Sequence, residues 1–252
     1  MSKYFKNKQP KIGSWITLPN SSIAEIMAKS GFDWLAIDLE HSAINISQAE
    51  ELIRVIDLCG IRPLVRLTSN DCNLIKRVMD SGSHGIIVPM INRLKELESA
   101  YEALRYPPAG SRGVGIARAQ GYGEGFARYQ KWQKTEPLLI AQIEHIDAVN
   151  NLEEIFSFEN LDAFIIGPYD LSSSLGVPGQ FDHPKFIESI SRIHEISTEK
   201  EIPKGIHIIE PDLNEAELRI KEGYEMIAYS LDIRMLDNHC RSLFKEIKKI
   251  SK

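Results

Sequence analysis

The chain has 252 residues, enough for one large α/β domain or two small ones, and its 43% hydrophobic content is ordinary for a protein with a sizeable core. A formal charge of −5 and the lack of a long basic run give no footing for a nucleic-acid partner, and no apolar stretch is long enough to span a bilayer. Cys59, Cys72 and Cys240 are scattered without metal-ligand spacing, and the opening MSKYFKNKQPKIG has basic residues but no apolar signal segment, so the expected setting is cytoplasmic, with no membrane partner.

In chain order, eight short apolar runs alternate with amphipathic stretches: SWITL (14–18), WLAIDLE (34–40), RPLVRLT (62–68), GIIVPM (85–90), LLIAQIE (138–144), DAFIIGP (162–168), IPKGIHI (202–208) and EMIAYSL (225–231). Most are apolar on both faces, as buried parallel strands are. Asn20 or Ser21 can cap the helix after the first run, and Ser47 with Glu50 has capping-box spacing for the next. Residues 106–136, rich in glycine, proline and arginine, are too long for a routine turn and read as a functional or disordered loop. The chain closes on a helical stripe of Leu236, Cys240, Leu243, Ile247 and Ile250. Eight strand–helix pairs point to an α/β fold of the (β/α)₈ TIM-barrel type, one domain over residues 1–252, with a doubly wound open sheet as the main competitor.

In a barrel, residues at the C-terminal strand ends converge on one mouth. The second strand ends in Asp38, Glu40 and His41, the third in Arg66, the fifth in Gln142 and Glu144, and the sixth runs into Gly167, Pro168, Tyr169 and Asp170. Glu144 and Asp170 are the natural pair for a hard divalent cation that keeps positions for waters and a chelating substrate. Arg66 offers a planar fork to a substrate carboxylate, and His41 is placed to move a proton near neutral pH. His145 and His207 can reach the rim; His84 reads as structural at the strand bottoms, and His183, His194 and His239 as surface residues.

At these residues the sequence resembles the HpcH/HpaI family of class II, metal-dependent pyruvate aldolases. The matching segments are GFDWLAIDLEH (31–41), PLVRLTSND (63–71), the GIIVPM strand, YPPAGSRGVG (106–115), LLIAQIE (138–144) and IIGPYDLSSSLG (165–176), and similarity covers roughly residues 10 to 245. The resemblance implies a phosphoenolpyruvate/pyruvate-type barrel whose last helix is exchanged between subunits of a homo-oligomer, commonly a hexamer. It implies an aldehyde-lyase that cleaves a 4-hydroxy-2-oxo acid to pyruvate and an aldehyde, or the reverse, through a metal-bound pyruvate enolate, with Mg²⁺, Mn²⁺ or Co²⁺ as cofactor. Residue by residue, Glu144 and Asp170 match the metal ligands, Arg66 the pyruvyl-binding arginine, and Gln142 with Gly167 and Pro168 the pyruvate pocket. His41 matches the acid–base histidine, with Asp38 beside it. Asp80 matches a carboxylate linked to that histidine across a subunit contact. Glu40 has no assigned proton-transfer role and is read as architectural.

The chain departs from the family pattern at Tyr169, where a small residue is usual, and at His207, where an aliphatic one is usual. Both positions border the aldehyde side, and a larger, more polar wall there favours a hydroxylated or sugar-derived aldehyde. Arg112 and Arg118 in the long loop are candidates to meet a distal acidic group. The competing readings are a citrate-lyase β-type enzyme, for which no CoA-binding surface is evident, and a non-catalytic oxo-acid-binding protein of the same fold.

Overall fold

The structure is a computed structural model and describes residues 3–5 and 7–251. Eight parallel strands close in sequential order, β1 (Lys11–Ile16), β2 (Trp34–Asp38), β3 (Arg62–Arg66), β4 (Gly85–Val88), β5 (Leu138–Ile143), β6 (Ala163–Ile166), β7 (Lys204–Ile208) and β8 (Met226–Leu231), with β8 pairing back to β1. The helices are α1 (Ser21–Ala28), α2 (Ile46–Leu58), α3 (Cys72–Asp80), α4 (Leu94–Leu104), α5 (Phe126–Trp132), α6 (Ile146–Asn150), α7 (Leu152–Ile155), α8 (Pro168–Ser174), α9 (Pro184–Glu199), α10 (Leu213–Lys221) and α11 (Asp232–Ile250). Closure decides for the barrel over the open sheet; seven of the eight apolar runs contain a whole strand, and the first, at 14–18, covers only the second half of β1.

Side chains alternate across each strand, so the strands feed two cores, β7 excepted, which gives the inner one no apolar side chain. One lies between strands and helices and includes Leu35, Ile37, Val65, Ile86, Leu139 and Ile166; the other fills the barrel with Trp15, Trp34, Leu64, Ile87, Ile140 and Ile165. Full burial of each such aliphatic side chain contributes about 1.5–3 kcal/mol. Gly13 is required inside, because a Cβ there would lie 2.0 Å from the Trp34 ring. Asn20 caps α1, accepting from Ser22 N and Ile23 N. The capping box of α2 is built from Asn45 and Gln48, two residues upstream of the expected Ser47 and Glu50. Asn45 also offers an acceptor to the first-turn amides, and the apolar face of Ala49, Leu52, Ile53 and Ile56 follows from that earlier start.

The long connection is ordered around a buried arginine. Arg112 has a side chain with 0% exposure, donates to Tyr129 Oη at 2.8 Å and lies 4.3 Å from the centroid of Tyr106. Arg118 donates to Asp57 at 2.5 Å and to the Ser81 carbonyl. Both arginines are therefore committed within the chain, which corrects their reading as receptors for a distal acidic group. At the other end, α11 is held through Asp232, which accepts from Thr17 N, Thr17 Oγ1 and Leu18 N. Its stripe of Leu236, Leu243, Ile247 and Ile250, together with Phe244, stays exposed.

Candidate active site

The alternation that packs the barrel also builds its mouth. With Ala36, Leu64 and Ile140 pointing inward, the residues two positions on, Asp38, Arg66 and Gln142, must point inward one layer higher. The β2–β3 register sets Asp38 opposite Arg66. Asp38 is 2% exposed and grips Arg66 with two bonds, Nε to Oδ1 at 2.9 Å and Nη2 to Oδ2 at 2.6 Å. The same Oδ1 accepts from the backbone N–H of Glu40 and of His41, so one carboxylate fixes both the arginine and the turn that carries the histidine. Arg66 also lies over Trp15, 4.4 Å from the ring centroid. The guanidinium is thus fixed along its Nε–Nη2 edge, and Nη1 has no partner within the chain among the described residues.

Glu40 joins this group. Its Oε2 is buried without a hydrogen-bond partner, 3.4 Å from Arg66 Nε and 3.8 Å from His41 Nε2. Burial raises its pKa, Arg66 opposes the shift, and the charges of Asp38 and Asp170 add to it. Glu144, 3% exposed, accepts from Met90 N at 2.8 Å and from Gln142 Nε2. Its carboxyl is also raised, first by burial, against those two bonds and with the help of Glu40 and Asp170. Gly167 is needed here, since a Cβ would meet Glu144 Oε2 at 2.7 Å.

Three carboxylates thus repel one another at the mouth, a strain that a cation would relieve. Among the described residues no group of three His, Cys, Asp or Glu side chains is arranged around a common metal position. Glu144 and Asp170 could supply two carboxylates, the kind of oxygen donor that suits a hard divalent ion completed by waters and substrate oxygens.

The cavity above these residues has a volume of about 380 Å³, and its wall includes His41, Arg66, Gln142, Tyr169, Asp170 and His207. A larger one of about 470 Å³, beside His84 and Arg118, contains none of the carboxylates of the mouth, so size alone does not mark the site. His207 stands 5.5 Å from the Trp15 ring, and its Nε2 faces the Ser230 carbonyl at 3.3 Å, which requires the hydrogen on Nε2. Burial, with the charge of Arg66, pushes its pKa down to about 4. The ring is neutral near pH 7, and one of its polar atoms is already engaged. Tyr169 sets its ring edge against Phe181. The polar wall expected here is only partly polar.

His41 is at the rim with a side chain 64% exposed. Asp80, at the end of α3, is not brought to it within the chain: its partners are Arg112 and Gln120, and it lines a separate depression with Ser47 and Arg77. His145 caps α6, accepting from Asp147 N. His84 Nε2 lies 3.2 Å from Asp57 Oδ1, while His183 caps α9 and His239 is exposed. His194 departs from its surface reading; it is half-buried, with Nε2 2.7 Å from Tyr224 Oη. Trp15 is a residue of the mouth that the sequence did not single out, and Glu40, placed at the strand end but read as architectural, stands within its charged group. The signal for Glu40 was its strand-end position, and for Trp15 the inward parity it shares with Thr17 and Gly13.

Residues 11–238 match the HpcH/HpaI aldolase/citrate lyase family. The chain is 37% identical over 238 residues to a pyruvate aldolase of Rhizobium etli, covering 92% of each protein. It is 34% identical to the 4-hydroxy-2-oxo-heptane-1,7-dioate aldolase of Escherichia coli, covering 94% of this chain and 90% of that one. The crystal structure of an HpcH/HpaI aldolase/citrate lyase family protein from Burkholderia cenocepacia superposes with a TM-score of 0.89 at 28% identity, over 96% of this chain and 95% of the other. With that match along nearly its whole length and a closed barrel to carry it, the chain belongs to the HpcH/HpaI aldolase/citrate lyase family.

Proposed function

We propose that this protein is a divalent-metal-dependent aldolase that cleaves a 4-hydroxy-2-oxo acid to pyruvate and an aldehyde, or runs the addition in reverse. The observation that carries this reading is Arg66, clamped by Asp38 and opening on the cavity that Asp170 and Gln142 also line, with Glu144 bonded to Gln142 beneath. A preorganised arginine next to a cluster of repelling carboxylates suits an α-oxo carboxylate and the negative charge that grows on its oxo oxygen.

Glu144 and Asp170 would hold the cation, with Gln142 and Met90 N keeping Glu144 oriented. When bound, Mg²⁺, Mn²⁺ or Co²⁺ there supplies positive charge beside the developing enolate oxygen. Arg66 Nη1 pairs with the oxo acid, and Gly167 and Pro168 form the wall against which it lies. In cleavage, His41 takes the proton of the C4 hydroxyl, the C4 oxygen becomes the aldehyde carbonyl as the C3–C4 bond breaks, and the bonding pair remains on C3 as the enolate. A proton delivered to C3 completes pyruvate. Asp38 acts here as a positioning residue, since both its oxygens are engaged.

The exposed apolar face of α11 supports a homo-oligomer, and the family resemblance implies a hexamer in which that helix packs on a neighbouring subunit and Asp80 reaches the histidine of the next copy. The test of the reaction is formation of a 4-hydroxy-2-oxo acid from pyruvate and an aldehyde panel, with and without exhaustive chelation. Activity should vanish on chelation and return with added divalent cation. Undiminished activity in chelated protein, or no product with any aldehyde, would contradict the reading.

A further inference from the structure

We infer that the catalytic cavity continues past Tyr169 and His207 into an apolar annex between β7, α9 and α10, and that this annex receives the unbranched hydrocarbon chain of the aldehyde substrate. The inference rests on the aldolase reading and adds to it a substrate class.

The annex is a second cavity of about 300 Å³ whose wall shares Ile166, Pro168, Tyr169, His207 and Ile209 with the catalytic cavity. The two cavities adjoin across these side chains, and the proposed path for a molecule anchored at Arg66 runs past Tyr169, which is 54% exposed. The annex exists because α10 packs loosely: none of its nine residues is buried, and Leu213, Leu218 and Ile220 face outward. Ile206 on the covered face of β7 consequently remains partly exposed, whereas its neighbour Ile208 is 1% exposed. Elsewhere in the barrel, helices seal that layer, as α2 does with four buried residues.

The lining tells what the space would accept. Phe186, Ile190 and Ile206 give it an apolar floor, and Tyr169, Phe181 and Phe186 form a ladder of rings with centroids 5.0 and 5.3 Å apart. Its charged residues are paired with each other or with neighbours, Arg219 with Glu215 at 3.2 Å and Glu210 with Arg234 at 2.7 Å, although Arg219 Nε is buried without a partner. A phosphorylated or acidic tail would find no unpaired cation there, and a polyhydroxylated one would lose its water for few partners. An alkyl chain gains by leaving water for such a surface.

The test is pyruvate addition to a straight-chain aldehyde series from propanal to octanal, with glyceraldehyde as the hydroxylated comparison. It is run in the unaltered enzyme and in Ile190→Trp and Ile206→Phe, which fill the annex from two different elements. In the unaltered enzyme kcat/KM should rise about fourfold per added methylene until the space is full, the factor that corresponds to about 0.8 kcal/mol. Both filled variants should lose that rise while keeping propanal turnover and pyruvate methyl-proton exchange within about twofold. A flat series, a preference for glyceraldehyde, or a rise that survives filling at both positions would overturn the annex. Two positions are used so that a folding defect in one, visible as lost proton exchange, leaves the other to decide. Absence of exchange in the unaltered enzyme would instead remove the aldolase reading itself, so the two failures are told apart.

Discussion

The mouth of the barrel has two sides built to different standards. On the β2–β3–β5 side, Asp38, Arg66, Gln142 and Glu144 hold one another through short bonds, and the helix behind β2 buries four apolar residues. On the β6–β7 side, Tyr169 is 54% exposed, one ring nitrogen of His207 is engaged, and α10 buries nothing. The difference teaches a division of labour. On the proposed mechanism, the side that would stabilise developing charge is preorganised, as electrostatic catalysis requires, and the side that would face the second reactant is left with room.

The sharpest way to break that comparison is at the two carboxylates that face each other across the mouth, Glu144 on the rigid side and Asp170 beyond the end of β6. Glu144→Ala or Asp170→Ala should lower kcat by at least about 10²–10³-fold. Cation binding by calorimetry should weaken while the circular dichroism spectrum is unchanged. Asp38→Ala should cost up to about 3–5 kcal/mol in urea unfolding, because it leaves the largely buried Arg66 charge with only Glu40, 3.4 Å away, to offset it, and should raise the KM for pyruvate. A cost under about 1 kcal/mol would show that the clamp is not structural.

The looser side is tested through His207. Its folded pKa is depressed from 6.5 to about 4, so the unfolded ring takes up a proton first as the pH falls. Stability from this residue is therefore present above pH 6.5 and lost as the pH drops toward 4, by up to about 3 kcal/mol over the 6.5-to-4 interval. His207→Leu should flatten the stability profile in that window and leave it unchanged above it. The smallest effect is expected on α10. Leu218→Ala, at a residue 49% exposed, should change stability by no more than about 0.5 kcal/mol, whereas Leu52→Ala on α2, at 1% exposed, should cost about 2–5 kcal/mol. Equal costs would erase the contrast between the two sides.

Much of the rigid side was legible because it follows from strand alternation. Once the eight apolar runs are strands, Asp38, Arg66, Gln142 and Glu144 have to arrive at the same rim. The looser side was less legible because it depends on tertiary fit. Leu213, Leu218 and Ile220 give α10 large apolar residues, yet all three are exposed. Tyr169 and His207 read as polar residues, but a neighbouring ring and a carbonyl take up part of that polarity. Arg112 could not be placed from a glycine-rich stretch, since its burial depends on Tyr106 and Tyr129 folding over it. Glu40 was visible as a strand-end carboxylate, but its closeness to Arg66 comes from the β2–β3 register.

The account stands or falls on whether this mouth enolises pyruvate. The direct measurement is loss of the pyruvate methyl signal by proton NMR in deuterium oxide, with no aldehyde present. It should proceed with added Mg²⁺, Mn²⁺ or Co²⁺, stop on chelation, and be absent in Glu144→Ala and Arg66→Ala. Exchange at the background rate in the metal-supplied protein, or exchange that persists in both variants, would contradict it.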